Sequence, residues 1–205
     1  MPGFMFKTQM VRMVAFLLTG LLVGCGGQDR SRESQRPRPP VVERDTSVVP
    51  RPDPAEDTPE TAAWTIGIVD LPASGGEMPV LEAVRNARHD NYDRVVFQFG
   101  PGGLPGVHAE YVDHPVRQCG SGEVVQIAGD AWILIRFIPA AAHTEEGQPT
   151  VGERMRVVNQ PVLKQLSLIC DFEADVSWVL GVGSPNQFRV FPLSSSPRVV
   201  VDIRH

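Results

Sequence analysis

Across the C-terminal two thirds of this chain, apolar residues recur at every second position, and no other feature limits the fold as strongly. In Arg94-Val95-Val96-Phe97-Gln98-Phe99, the side chains of Val95, Phe97 and Phe99 share one face while Arg94 and Gln98 take the other. Val176, Trp178, Leu180 and Val182 alternate in the same way with Ser177 and Gly181, and Val199, Val201 and Ile203 with Val200 and Asp202. Further strand-like stretches are Leu81–Arg88, His108–Asp113, Glu123–Ile127, Trp132–Ile138, Val162–Cys170 and Phe188–Leu193. Turn chemistry separates them, at Asp90-Asn91, Gly100-Pro101-Gly102-Gly103, Gly120-Ser121-Gly122, Gly129-Asp130 and Ser184-Pro185-Asn186. Eight or nine short strands at this spacing predict an all-β domain, an antiparallel β-sandwich or small barrel, over residues 80–205. A helical turn fits only within Ala140–Arg156, where Pro149 and Gly152 limit its length. The 19 prolines and 19 glycines exclude a helical bundle, since proline costs about 3 kcal/mol inside a helix.

The N-terminal third is built differently. Lys7 and Arg12 are the only charges in the first 28 residues, and Met13–Val23 is an uninterrupted uncharged run. As a helix this run spans about 17 Å, too short for a hydrocarbon core of about 30 Å. A basic start followed by a short apolar run and small residues is the pattern of an export signal. Leu22-Val23-Gly24-Cys25 resembles the bacterial lipobox, which implies cleavage after Gly24 and attachment of a diacylglyceryl group and further palmitate-type chains to Cys25. Two or three acyl chains, at about 0.8 kcal/mol per buried methylene, hold a protein stably at a membrane. Residues 1–24 are thus expected to be a lipoprotein signal peptide. Residues 25–63, with seven prolines and no aromatic side chain, are expected to be a disordered tether of polyproline-II character. Residues 64–79 are read as transitional, with a short strand at Thr65–Val69 left open.

Charge narrows the partners. The chain carries a net −5, and loss of Lys7 and Arg12 with the signal would leave −7. That excludes a basic nucleic-acid footprint and disfavours adhesion of the domain itself to anionic lipid.

Some residues carry a family resemblance. Arg85, Arg88-His89-Asp90-Asn91-Tyr92-Asp93-Arg94-Val95-Val96-Phe97 and Phe99, then Ala109 and Tyr111-Val112, and a closing Pro197-Arg198-Val199-Val200-Val201-Asp202-Ile203 resemble the AMIN-like domain of bacterial envelope lipoproteins. That group is related to the AMIN domain of periplasmic N-acetylmuramoyl-alanine amidases and of type IV pilus secretins. The resemblance implies a β-sandwich that targets an envelope site, with peptidoglycan or an envelope protein as partner. It carries over no established activity, because the AMIN-like group is functionally much less defined than the amidases, and no room is expected for the amidases' separate zinc hydrolase domain.

Candidate site residues are few. His89, Asp90, Tyr92, Asp93 and Arg94 form the densest polar cluster. They suit a ligand site for sugar hydroxyls with Tyr92 as an aromatic platform, a Ca²⁺ site through oxygens although EF-hand-like spacing is lacking, or, favoured over both, a plain β-turn with Arg94 paired to an acid. Tyr111 is a second aromatic candidate for lining a sugar groove. With Cys25 lipidated, Cys119 and Cys170 suggest a disulfide closing about 52 residues, worth roughly 4 kcal/mol in the chain-entropy model. Free thiols and a nucleophile are the alternatives, and no histidine stands in a context that would activate a nucleophile. The five histidines lack HExxH or HxxEH spacing, so no metal and no cofactor is expected.

Together these features lead to a non-enzymatic, lipid-anchored envelope module, exported and held at the outer membrane if the cell has two membranes. An envelope carbohydrate hydrolase with a carboxylate pair, or an apolar ligand carrier with an internal lumen, are the competing readings.

Overall fold

The computed structural model describes residues 62–205, which contain twelve strands, all paired antiparallel, and no helix. The signal peptide, Cys25 and all but the last two residues of the tether lie outside the described residues. In chain order the strands are β1 (Val69–Leu71), β2 (Ser74–Gly75), β3 (Leu81–Arg88), β4 (Tyr92–Phe99), β5 (Gly103–Leu104), β6 (Gly106–Val112), β7 (Ala131–Ile138), β8 (Met155–Val157), β9 (Leu163–Phe172), β10 (Asp175–Val182), β11 (Phe188–Leu193) and β12 (Arg198–Arg204). One sheet has the order β1-β6-β7-β10-β9-β8, a second the order β11-β12-β4-β3, and β2 and β5 form a small ribbon.

The alternation in the sequence becomes the sandwich core. Val95, Phe97 and Phe99 of β4 and Val199, Val201 and Ile203 of β12 are fully buried, as are Ile133, Ile135 and Phe137 of β7 and Val176, Trp178 and Leu180 of β10. Phe97 meets Phe137 and Trp178 edge-on at ring-centroid separations of 4.9 and 6.0 Å. Such edge-to-face pairs add to the gain from burial alone. The space between the sheets is therefore filled by side chains, and the architecture is a packed antiparallel sandwich.

Two expectations need correction, and one question left open gains an answer. Glu123–Ile127 is no strand. It belongs to the long β6–β7 connection, which crosses the outer face of the larger sheet like a strap. There Val116 and Ile127, with Val125 half-buried, pack on Val179, Trp132, Leu134 and Ile169. The period of two is real, but backbone pairing stops at one isolated bridge within the strap, Arg117 with Val124, and a side chain ties the segment to the sheet. Gln165 accepts from the Ala128 amide at 3.0 Å and donates to the Gln126 carbonyl at 3.2 Å. The strap comes so close that a Cβ on Gly181 would lie 1.9 Å from the Ala128 carbonyl oxygen, so only glycine fits there. This also explains why β10 is buried on both faces although its sequence alternates.

Ala140–Arg156 contains no helical turn. Its amides pair outward instead, Ala140 with the Ala174 carbonyl, Ala141 with Pro79 and Ala142 with the Asp171 carboxylate, and its end forms edge strand β8. Residues 64–79, read as transitional, join the domain. Val69–Leu71 pairs with β6, and Thr65 exchanges two 2.8 Å backbone hydrogen bonds with Phe188 of β11.

Candidate functional site

The β3–β4 hairpin carries the polar cluster. Its turn closes through the His89 amide, which donates to the Tyr92 carbonyl at 2.9 Å, and Arg88 pairs with Asp93 across the ladder. From Tyr92 onward the strand period sends side chains to opposite faces, and the cluster divides accordingly.

Asp93 points inward and is fully buried. Its carboxylate accepts from the Val162 and Leu163 amides at 2.8 and 2.9 Å and from His205 Nε2 at 3.1 Å. It satisfies the first amides of β9 and so ties the two sheets together at this end. A ligand on the surface cannot reach it, and the expectation of a binding role for Asp93 is corrected on that ground.

Arg94 points outward into an ordered row. The register aligns Arg189 of β11, Asp202 of β12 and Arg94 of β4 across three neighbouring strands. Asp202 is fully buried and accepts from Arg94 Nε at 2.7 Å and Nη2 at 3.0 Å, and from Arg189 Nε at 2.9 Å. One carboxylate thus serves two guanidiniums, in the fork geometry that makes such bonds strong.

Aromatic rings gather against this row. Tyr92 stacks on His89, with centroids 4.5 Å apart and planes 18° from parallel, and lies 6.2 Å from Trp64. The Thr65–Phe188 hydrogen bonds hold Trp64 in place. The guanidinium carbons of Arg189 and Arg204 lie 4.5 and 5.6 Å from the centre of the Trp64 ring, within cation–π range. Trp64, Asn91, Tyr92, Arg204 and His205 line a surface groove of ≈ 340 Å³. Among the described residues no Asp or Glu side chain lines it. Asp90 sits exposed at the hairpin turn.

Tyr111 is placed elsewhere. It stands on β6, donates its hydroxyl to the Asn186 carbonyl at 2.6 Å and meets Phe188 edge-on at 5.7 Å. Burial pushes its pKa up to about 12, with the Asn186 hydrogen bond acting in the opposite sense. It pins the β10–β11 connection and does not line the groove.

Sequence reasoning missed Trp64, Arg189, Arg204, His205 and the pairing role of Asp202. A signal for the arginines existed. Both occupy outward positions of strands whose inward residues, Phe188, Val190, Val201 and Ile203, had already set the phase.

Cys119 and Cys170 are joined in a disulfide, which fastens the strap to β9. A larger depression of ≈ 580 Å³ runs beside it, with Met155 and Phe172 exposed along it and Asp171 at its margin. Asp171 is engaged by the Ala142 amide, His143 and Arg154. Among the described residues no three His, Cys, Asp or Glu side chains gather as a metal site would require.

No curated protein and no solved structure matches the chain. A family model does: that of the AMIN-like domain matches residues 79–205, the whole sandwich apart from its first two short strands. The family occurs in periplasmic and other envelope proteins, where its domains serve as binding modules. With more than half of its length matched, the chain belongs to the AMIN-like domain family.

Proposed function

We propose that this protein is a non-enzymatic envelope module, lipid-anchored through Cys25, whose sandwich binds the glycan of the cell wall through the Trp64–Tyr92 groove. The observation that carries this reading is the composition of the groove. Two aromatic walls stand beside Asn91, Arg204 and His205, which supply hydrogen-bonding groups to a ring bearing hydroxyl and amide substituents. A few polar groups around an apolar wall are the usual way a protein orients a small ring. A hydrolase would need two carboxylates about 5–10 Å apart across its cleft, and among the described residues no Asp or Glu side chain lines the groove. A carrier would need an apolar lumen, where this core is filled by Phe97, Phe137 and Trp178. His89 and Asp90 flank the groove on the hairpin and complete the proposed binding set with Tyr92 and Arg94.

The direct test is co-sedimentation of the detergent-solubilised full-length chain with purified peptidoglycan sacculi. Wild type is expected in the pellet, with Trp64→Ala about 10-fold or more weaker. A wild-type chain that stays in the supernatant refutes the glycan reading and leaves an envelope protein as the partner. For the anchor, Cys25→Ser is expected to move the chain from the membrane fraction to the soluble fraction. Mass spectrometry of the native N-terminus reads the acyl chains directly.

A further inference from the structure

The described residues hold eleven Lys and Arg against sixteen Asp and Glu, so the domain as a whole is acidic. Charge around the groove runs the other way. Arg94, Arg189 and Arg204 converge on the Trp64–Tyr92 pair, and Asp202 is the one carboxylate in their row. Asp202 is shared between Arg94 and Arg189. Arg204 stands outside that pairing and brings its own positive charge to the groove. Among the described residues it has no carboxylate partner, and its guanidinium bonds only the Gln187 side chain, through Nη1 at 3.1 Å. It is exposed and forms part of the groove wall.

A neutral sugar has no use for this arrangement. Aromatic walls and amide groups would hold it, and surplus guanidinium charge beside a desolvated ring costs free energy unless an anion offsets it. On an acidic domain such a local positive field also concentrates anions at one place. Arginine suits a carboxylate in particular, because its planar fork matches the two oxygens.

We propose that the groove selects a glycan whose pyranose ring carries a free carboxylate, with Trp64 and Tyr92 against the ring and Arg204 on the acid. This rests on the glycan reading above and narrows it. In cell-wall glycan the carboxylate has two sources: the lactyl ether of the muramyl ring where no peptide is attached, and the free ends of the stem peptides. Placing the cation beside the aromatic walls favours the ring-borne acid, since ring and carboxylate then occupy one groove.

The test is calorimetric titration of the detergent-solubilised full-length chain with three probes. These are a disaccharide of N-acetylglucosamine and N-acetylmuramic acid with its lactyl carboxylate free, neutral diacetylchitobiose, and D-alanyl-D-alanine. The acidic disaccharide is expected to bind at least about 10-fold more tightly than chitobiose, with the preference shrinking as salt rises. Arg204→Gln is expected to abolish the preference by weakening the acidic disaccharide much more than chitobiose, and Arg204→Lys to restore part of it. Trp64→Ala should weaken both disaccharides. Equal affinity for the two disaccharides overturns the carboxylate assignment and leaves the glycan reading intact. Binding of neither disaccharide overturns both. Binding of the dipeptide alone places the recognised acid on the stem peptide and overturns the ring-borne assignment. Because Arg204 is exposed, a circular dichroism spectrum matching wild type is expected for both of its variants, which ties any loss to the groove.

Discussion

The outer faces of the two sheets start from the same kind of strand and end in different chemistry. On the larger sheet the β6–β7 strap lies over β7, β10 and β9, with Val116 and Ile127 buried beneath it and Cys119–Cys170 as a covalent fastening. On the smaller sheet the outward positions of β11, β12 and β4 carry Arg189, Asp202 and Arg94, and the neighbouring row holds Tyr92 opposite Arg204. One face is sealed by apolar packing, and the other is organised by charge and rings. An apolar seal leaves nothing for a polar ligand to recognise. A row of guanidiniums held by a buried acid keeps charged groups in fixed positions beside the rings.

The largest effect is expected at the centre of the charged face. Asp202→Ala would leave Arg94 and Arg189 partly buried without their shared acid, and should cost about 3–5 kcal/mol. Urea unfolding measures it. A loss below about 1 kcal/mol would mean that the row does not organise this face.

Opening the sealed face comes next. Cys119→Ser with Cys170→Ser should remove about 2–4 kcal/mol. Limited proteolysis is expected to cut first within 113–130 while binding at the Trp64 groove persists. Equal loss of groove binding would show that the two faces are not independent. A subtler opening is Gly181→Ala, where the new Cβ meets the Ala128 carbonyl. Overpacking of this kind costs about 1–3 kcal/mol. Hydrogen exchange should show loss of protection at Ala128 and Asp130, whose amides bond Gln165 and Val182.

The smallest effect belongs to a strip of the larger sheet bearing Asp70, His108 and Arg136 in one cross-strand row. The hydrogen bond to Asp70, 2.7 Å from His108 Nδ1, raises the His108 pKa; burial opposes it, and the nearby Glu110 adds to the rise. A raised histidine pKa means that the folded state holds the proton more tightly than the unfolded chain. The stabilisation is therefore complete below pH 6.5 and fades as pH climbs through the raised value. Amide protection of Val69–Leu71, corrected for intrinsic exchange, should fall over that range in wild type and stay flat in Asp70→Asn.

Much of the architecture could be read along the chain. Leu81–Arg88 and Phe188–Leu193 appear as strands with the same bounds, and six of the other elements differ by a few residues at their ends. Each has one face on a core, so alternation is imposed on it directly. Glu123–Ile127 shows the limit of that reasoning. Val125 and Ile127 face an apolar surface just as a strand residue would, and no local pattern tells a strap over a sheet from a strand within one. β2, β5 and β8 escaped notice because two or three residues cannot display a period. At the site, His89 to Arg94 drew attention by density alone. Density could not tell inward Asp93 from outward Tyr92 and Arg94 in function, although their parity was visible.

Local order, strand phase and the choice of which residues leave the water are properties of neighbouring positions, and the amino-acid pattern specifies them because burial acts on each strand separately. The meeting of Trp64 with Arg204, of Arg189 with Arg94 through Asp202, and of Cys119 with Cys170 joins residues 51 to more than 100 positions apart. Such meetings depend on how strands from distant parts of the chain stack into sheets. Long-range pairing of that kind leaves no periodic trace, so the groove and its charge emerge only in the folded molecule.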